Sequence, residues 1–253
     1  MAPIKSMKTV ALIQARMTSS RLPGKVLQNI AGKPMLMRVV ERARQAKSID
    51  LVAVITSTHE SDDAIEQCCK KCGVPFFRGN LDDVLDRYYQ AAIHFGSETI
   101  VRITADCPLL DHGIVDQVVE VFNSGNYDYV SNTMEVTYPD GLDTEVFRFE
   151  TLEKAWKNAV LKSEREHVTA YIYKHPEFFR LGVLKHPEDL SALRWTVDTP
   201  SDLEFVRAVY AGFADEHFSM EDILNFIKNN PEVTALNAGQ ERNEGYLKSL
   251  KED

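Results

Sequence analysis

With 253 residues, 44% of them hydrophobic and 26% charged, the chain has the material of one large α/β domain and can build a core without disulfides. A formal net charge of −9 argues against nucleic-acid binding, which needs a basic stripe, and confines any phosphate ligand to a place where positive charge is concentrated. No apolar run approaches the roughly 20 residues of a membrane span, and the short apolar stretch behind Lys5 and Lys8 cannot serve as a signal-peptide core, so a cytoplasmic protein without membrane contact is expected.

The elements alternate along the chain. Thr9 to Gln14 is a short apolar, β-rich run. Pro34 to Ala46 carries Met35, Leu36, Val39, Val40 and Ala43 at helical spacing. Leu51 to Thr56 is a second buried strand, and Ser61-Asp62-Asp63 opens a helix with a capping Ser and acidic residues at its positive end. In that helix Ile65, Cys68, Cys69 and Cys72 fall on one face, and Gly73 ends it. The Cys69–Cys72 spacing allows a metal or redox reading, but no second Cys or His pair follows at zinc spacing, so core packing is expected. Val74 to Phe77 reads as a strand, Asp82 to Phe95 as a helix and Thr99 to Thr104 as a strand. Asp111 to Asn123 reads as a helix and Tyr127 to Ser131 as a strand.

This order predicts a Rossmann-like α/β fold: a mostly parallel sheet with helices on both faces, binding ligands at the carboxyl ends of its strands. Residues 1–236 read as a single domain. From about 135 to 190 the sequence turns richer in Tyr, Phe, Pro and charge, with helical pieces at Phe149–Val160 and Arg165–Lys174. That stretch reads as a small inserted α+β segment for acceptor or subunit contacts, and a homodimer is expected. Leu193–Val197 returns to strand character, Ser201–Phe213 and Asp215–Asn229 to helix, and residues 237–253 form a polar tail.

The segment after the first strand holds Arg16, Thr18, Ser19, Ser20, Arg21, Gly24 and Lys25, which gives three cations, three hydroxyls and a glycine within ten residues. Polyphosphate needs this mixture of charge, donors and close backbone approach. It is not a P-loop, because Ser19 and Val26 stand where that motif needs Gly and Ser or Thr. The plainer reading is a solvated basic loop.

Two aspartates end later strands. Asp106 follows Thr104, with Pro108 stopping the strand, and Asp198 follows Leu193–Val197. Either alone reads as a turn or capping residue. Together, at neighbouring strand ends, they suit Mg2+, which takes few protein carboxylates plus substrate phosphates. Asp202 fits an early helix position and reads as structural. Thr56 and Ser57, after the second strand, can read a base edge or cap the helix equally well. Arg78 can contact a nucleotide, with Gly79 allowing close approach. Asp83, Asp86 and Arg87 serve either a site or an ion network on a helix.

The run Ala15-Arg16-Met17-Thr18-Ser19-Ser20-Arg21-Leu22-Pro23-Gly24-Lys25 resembles the signature of the cytidylyltransferases that make CMP-activated acidic sugars, such as the CMP-Kdo and CMP-sialic acid synthetases. The run Gly79 to Tyr88 resembles the spore-coat polysaccharide branch of that superfamily, and the similarity spans about Val10 to Phe213. The resemblance implies a fold of the nucleotide-diphospho-sugar transferase type. It implies a nucleotidyltransferase with CTP and a small anionic acceptor as partners and Mg2+ as cofactor. It assigns the triphosphate to Arg16, Arg21 and Lys25, and the nucleoside to backbone around Leu12, Gln14 and Ala15, with Thr104 at the neighbouring strand end. Asp106 matches the family's strand-end Asp, although Ala105 stands where Gly is common, and Asp198 matches its late Asp. These two are the expected metal ligands, and Arg16, Lys25 and Asp106 the expected catalytic set. Tyr138 to Glu145 and Ser163 to Thr169 resemble segments of the spore-coat branch, which makes Asp140, Asp143, Arg165 and His167 acceptor candidates. A lone His167 is more often structural than catalytic. The alternatives are a UTP- or GTP-dependent sugar-phosphate nucleotidyltransferase and a glycosyltransferase of the same fold type. The second lacks its D-x-D motif at Asp106-Cys107-Pro108.

Overall fold

The computed structural model describes residues 8–239. Its first half holds β1 (Thr9–Gln14), β2 (Asn29–Ile30), β3 (Lys33–Pro34), α1 (Met35–Ala43), β4 (Leu51–Ser57) and α2 (Asp63–Cys72). Then come β5 (Phe76–Gly79), α3 (Val84–Phe95), β6 (Thr99–Thr104), α4 (His112–Ser124), β7 (Tyr129–Ser131) and β8 (Glu145–Arg148). The remainder is α5 (Phe149–Asn158), α6 (Lys162–Glu166), α7 (Ala170–Lys174), β9 (Leu181–Val183), α8 (Pro200–Ala211), α9 (Met220–Asn229) and α10 (Pro231–Thr234).

Seven strands form one sheet in the order β5-β4-β1-β6-β8-β7-β9. The first four are mutually parallel, β8 is antiparallel to both β6 and β7, and β9 is parallel to β7. The sheet is therefore mostly parallel, as expected, with β8 alone reversed. Alternation along β1 explains its unbroken apolar run. Val10 and Leu12 belong to the cluster holding Leu85 and Tyr88 of α3, while Ala11 and Ile13 belong to the cluster holding Val39 of α1 and Val115 of α4. Burying each such large aliphatic side chain stabilises the fold by about 1.5–3 kcal/mol.

Several expectations need correction. Leu193–Val197 is not a sheet strand. Arg194 forms an isolated bridge with Asp140, Trp195 N donates to Asp140 O at 2.6 Å, and Val197 N donates to Asp106 O at 2.8 Å. Arg194, Trp195, Thr196 and Val197 are all buried, in a segment bonded to the loop after β6 and to Asp140. Residues 135–190 also supply β8, inside the sheet, and β9. The helix expected over Arg165–Lys174 is two short ones, α6 and α7, broken where Val168 takes a φ of +41°, a conformation that costs a β-branched residue about 1–3 kcal/mol. On α2, Cys69 is buried but Cys72 is exposed, so the packed face is narrower than its spacing implied. The helix expected from Asp215 begins at Met220, where Ser219 caps it. Of the polar tail, Asn237 is buried with Nδ2 donating to Arg194 O at 2.8 Å; residues 240–253 lie outside the described residues.

Candidate functional site

The chain runs outward from β1 to β4 and β5, then returns to β6 on the other side of β1. Such a reversal leaves a crevice at the carboxyl ends of the two strands. Gln14 and Thr104, the last residues of β1 and β6, are register partners there. A cavity of about 360 Å³ opens above them.

The loop after β1 is tied at both ends. Asp62, fully buried, accepts Met17 N at 2.7 Å and Ser57 N at 3.2 Å, which pins the loop start to the end of β4. Gly24 N donates to Met17 O at 2.9 Å, and Gly24 adopts a φ of +70°, which any other residue would take with strain. That turn aims Lys25 into the cavity. Its ammonium contacts Asp106 Oδ2 at 2.7 Å, Asp198 Oδ1 at 2.8 Å and Val197 O at 2.8 Å. Asp198 Oδ2 also receives Arg21 Nη2 and Arg194 Nη2, each at 2.9 Å. Two carboxylates from separate chain segments thus converge on one cation. Among the described residues no group of three or more His, Cys, Asp and Glu side chains could hold a metal. A two-carboxylate arrangement fits an ion that keeps substrate oxygens or water in its remaining positions.

Burial pushes the Asp106 carboxyl up, but the Lys25 ammonium outweighs it and holds the group at about 2, against an ordinary 3.8. Burial pushes Lys25 down, and Asp106 and Asp198 reverse this to leave it above its ordinary 10.5. The depressed Asp106 value makes its stabilisation present above 3.8 and lost as pH falls toward about 2. The raised Lys25 value makes its stabilisation present below 10.5 and lost as pH rises through the higher folded value. The coupling between Lys25→Met and Asp106→Asn, measured by urea denaturation, should therefore be flat from about pH 5 to about pH 9. A titration midpoint inside that window contradicts the assignment.

The structure gathers most of the expected site residues around this one cavity. Gln14, Ala15, Arg16, Arg21, Lys25 and Thr104 line it, and so do Asp106, Asp140, Asp143, His167 and Asp198. Burial lowers the His167 imidazole pKa, and the Arg102 and Arg16 charges act in the same direction against Glu166. Five expected residues lie elsewhere. Leu12 is buried in β1, while Thr56 and Ser57 are buried at the end of β4, Ser57 Oγ donating to Asp62. Arg78 is taken by its own neighbourhood: Nε donates to Ser57 O at 2.7 Å, and its guanidinium pairs with Asp63 and Glu66 of α2. Arg165 grips Asp83 through Nε and Nη2, and its Nη1 donates to Trp156 O at 2.7 Å.

Residues not singled out by sequence also line the cavity. Arg102 of β6 pairs with its register partner Glu145 of β8, whose Oε2 accepts Tyr129 Oη at 2.8 Å. Arg194 spans three carboxylates, with Asp140 and Asp198 each at 2.9 Å and Asp202 at 3.0 Å. Asp202 is fully buried and also accepts Asp198 N and Thr199 N, which is the structural role its position implied. Arg194→Met should cost about 3–5 kcal/mol, because it strips a buried carboxylate of its cation. Urea denaturation checks this, and an unchanged midpoint contradicts it.

Comparison with known proteins bears on the family and the fold. The cytidylyltransferase family profile matches residues 10–223. The spore coat polysaccharide biosynthesis protein SpsF of Bacillus subtilis is 34% identical over 232 residues, covering 88% of this chain and 95% of that one. The 3-deoxy-manno-octulosonate cytidylyltransferase 2 of Hydrogenovibrio crunogenus is 29% identical over 250 residues, covering 80% and 98%. A solved cytidylyltransferase structure from Leptospira borgpetersenii superposes with a TM-score of 0.87 at 35% identity, covering 93% of this chain and 99% of that chain. No helix among the described residues is long and apolar enough to cross a membrane.

Proposed function

Because the chain belongs to the cytidylyltransferase family, we propose that it transfers the cytidylyl group of CTP to a small acidic sugar and releases pyrophosphate. The observation that carries this reading is the Lys25 ammonium seated between Asp106 and Asp198, in a cavity that Arg16 and Arg21 also line. Such a site concentrates positive charge against polyphosphate in a chain that is otherwise acidic. The names of two relatives support the acceptor class: one acts in spore coat polysaccharide biosynthesis, the other on 3-deoxy-manno-octulosonate.

In this reading an acceptor oxygen, as its anion, attacks the α-phosphorus. A new P–O bond forms as the bond to the β-phosphate oxygen breaks, and pyrophosphate leaves with the charge. Arg16 and Arg21 grip phosphate oxygens, and Lys25 supplies a compact charge where negative charge accumulates. Asp106, held anionic by Lys25, and Asp198 would hold Mg2+, which supplies Lewis-acid polarisation of the phosphates when bound. Asp140, Asp143 and His167, which also line the cavity, would orient the sugar acid.

An acceptor panel tests the proposal by pyrophosphate release with CTP and Mg2+. Release that depends on 3-deoxy-manno-octulosonate or another 2-keto sugar acid is expected. Release that depends only on a sugar 1-phosphate overturns the acceptor assignment.

A further inference from the structure

Arg87 of α3 is only 2% exposed, and its Nε and Nη1 are buried without a hydrogen-bond partner. It lines the substrate cavity together with Arg16 and Val84. The carboxylates around it are committed elsewhere. Asp83 is gripped by Arg165, Nε lying 3.0 Å from Oδ2. Asp86 Oδ1 accepts Trp156 Nε1 at 2.9 Å. Asp62 accepts Met17 N and Ser57 Oγ. Burial pushes the Arg87 guanidinium pKa down and the charge of Arg16 adds to that push, while Tyr88, Asp62 and Asp83 act against it.

The position is built into the fold. A Cβ on Gly79 would lie 3.1 Å from Arg87 Cγ and 3.3 Å from its Cα. The absence of a side chain on β5 therefore admits the first turn of α3 and the stem of Arg87. A buried guanidinium with two of its nitrogens unbonded, in the field of a second guanidinium, is costly until an anion joins it. A residue that served packing alone would be better replaced by an apolar side chain of similar volume.

We infer that Arg87, together with Arg16, forms an oxyanion subsite of this cavity that takes a phosphate or carboxylate group of the bound substrate. Both groups present the paired oxygens that a guanidinium fork matches. The inference rests on the nucleotidyl-transfer reading only for the source of the anion.

Calorimetric titration of wild type, Arg87→Met and Arg87→Lys tests it, with inorganic tripolyphosphate, CTP and 3-deoxy-manno-octulosonate as probes. Arg87→Met should lose about ten- to a hundredfold in affinity for at least one probe, and Arg87→Lys should recover part of it. Loss for tripolyphosphate and CTP identifies a phosphate subsite, and loss for the sugar acid alone a carboxylate subsite. Unliganded Arg87→Met should melt at or above the wild-type temperature, since an unpaired buried charge has been removed. Wild-type affinity for every probe overturns the inference, and so does a melting temperature below wild type, which marks a structural role. Tripolyphosphate carries no base, so a wrong choice of CTP leaves this test intact. A wild-type protein that binds none of the probes overturns both readings.

Discussion

Lys25→Ala is expected to lower turnover by about 10²- to 10³-fold, the usual cost of removing one preorganised donor from developing negative charge. Lys25 is 8% exposed, and three oxygens fix its ammonium. Little reorganisation is therefore needed when a phosphate replaces one of them. Alanine leaves Asp106 and Asp198 facing one another without their shared cation, so the site also becomes repulsive to a triphosphate. Lys25→Arg should recover only part of the activity, because the gap between the carboxylates holds a compact ammonium and a planar guanidinium is larger. Steady-state kinetics on variants with wild-type melting behaviour measures this. Turnover within about threefold of wild type for Lys25→Ala sets its loss far below that of an oxyanion donor and removes Lys25 from the chemistry.

Asp106→Ala is expected to lose about 10²-fold or more in turnover, with a second signature that separates two roles. If Asp106 serves only as partner of Lys25, Asp106→Asn keeps an acceptor oxygen and leaves the Mg2+ concentration for half-maximal activity unchanged. If it also holds the metal, Asp106→Asn shifts that concentration upward, because a neutral amide oxygen binds a hard dication more weakly than a carboxylate does. A metal-holding Asp106 gives the shift. Near-normal turnover with an unchanged Mg2+ requirement contradicts it.

The loop after β1, Asp106 and Asp198 were legible as candidates because each follows a short apolar run, and in this fold class ligands bind at strand ends, although the run before Asp198 is not a sheet strand. Distance along the chain hid the rest. Arg102 reads as a stray charge within an apolar strand. Its partner Glu145 lies opposite on the reversed strand β8, and no local pattern announces that pairing. Arg78 and Arg165 misled in the other direction. Each is a cation at a plausible place, but Arg78 is drawn to Asp63 and Glu66 and Arg165 to Asp83. Leu193–Val197 has the look of a strand, but Arg194, Trp195, Thr196 and Val197 are all buried without joining the sheet. A short alternating run therefore reports neither one-sided burial nor pairing by itself. The break at Val168 left no trace in composition, since a residue with positive φ there is strained and not favoured by its type. Arg87 was visible as a residue but not as an unpaired charge, because its isolation depends on where Asp83, Asp86 and Asp62 place their hydrogen bonds.

The most direct test of cytidylyl transfer is a comparison of the four ribonucleoside triphosphates with one sugar acid acceptor, Mg2+ and purified protein. Pyrophosphate release is measured, and the product is identified by its phosphodiester phosphorus resonance. CTP should support release and yield a CMP-linked sugar acid, with UTP, GTP and ATP giving little. Release with UTP or GTP and none with CTP contradicts the account.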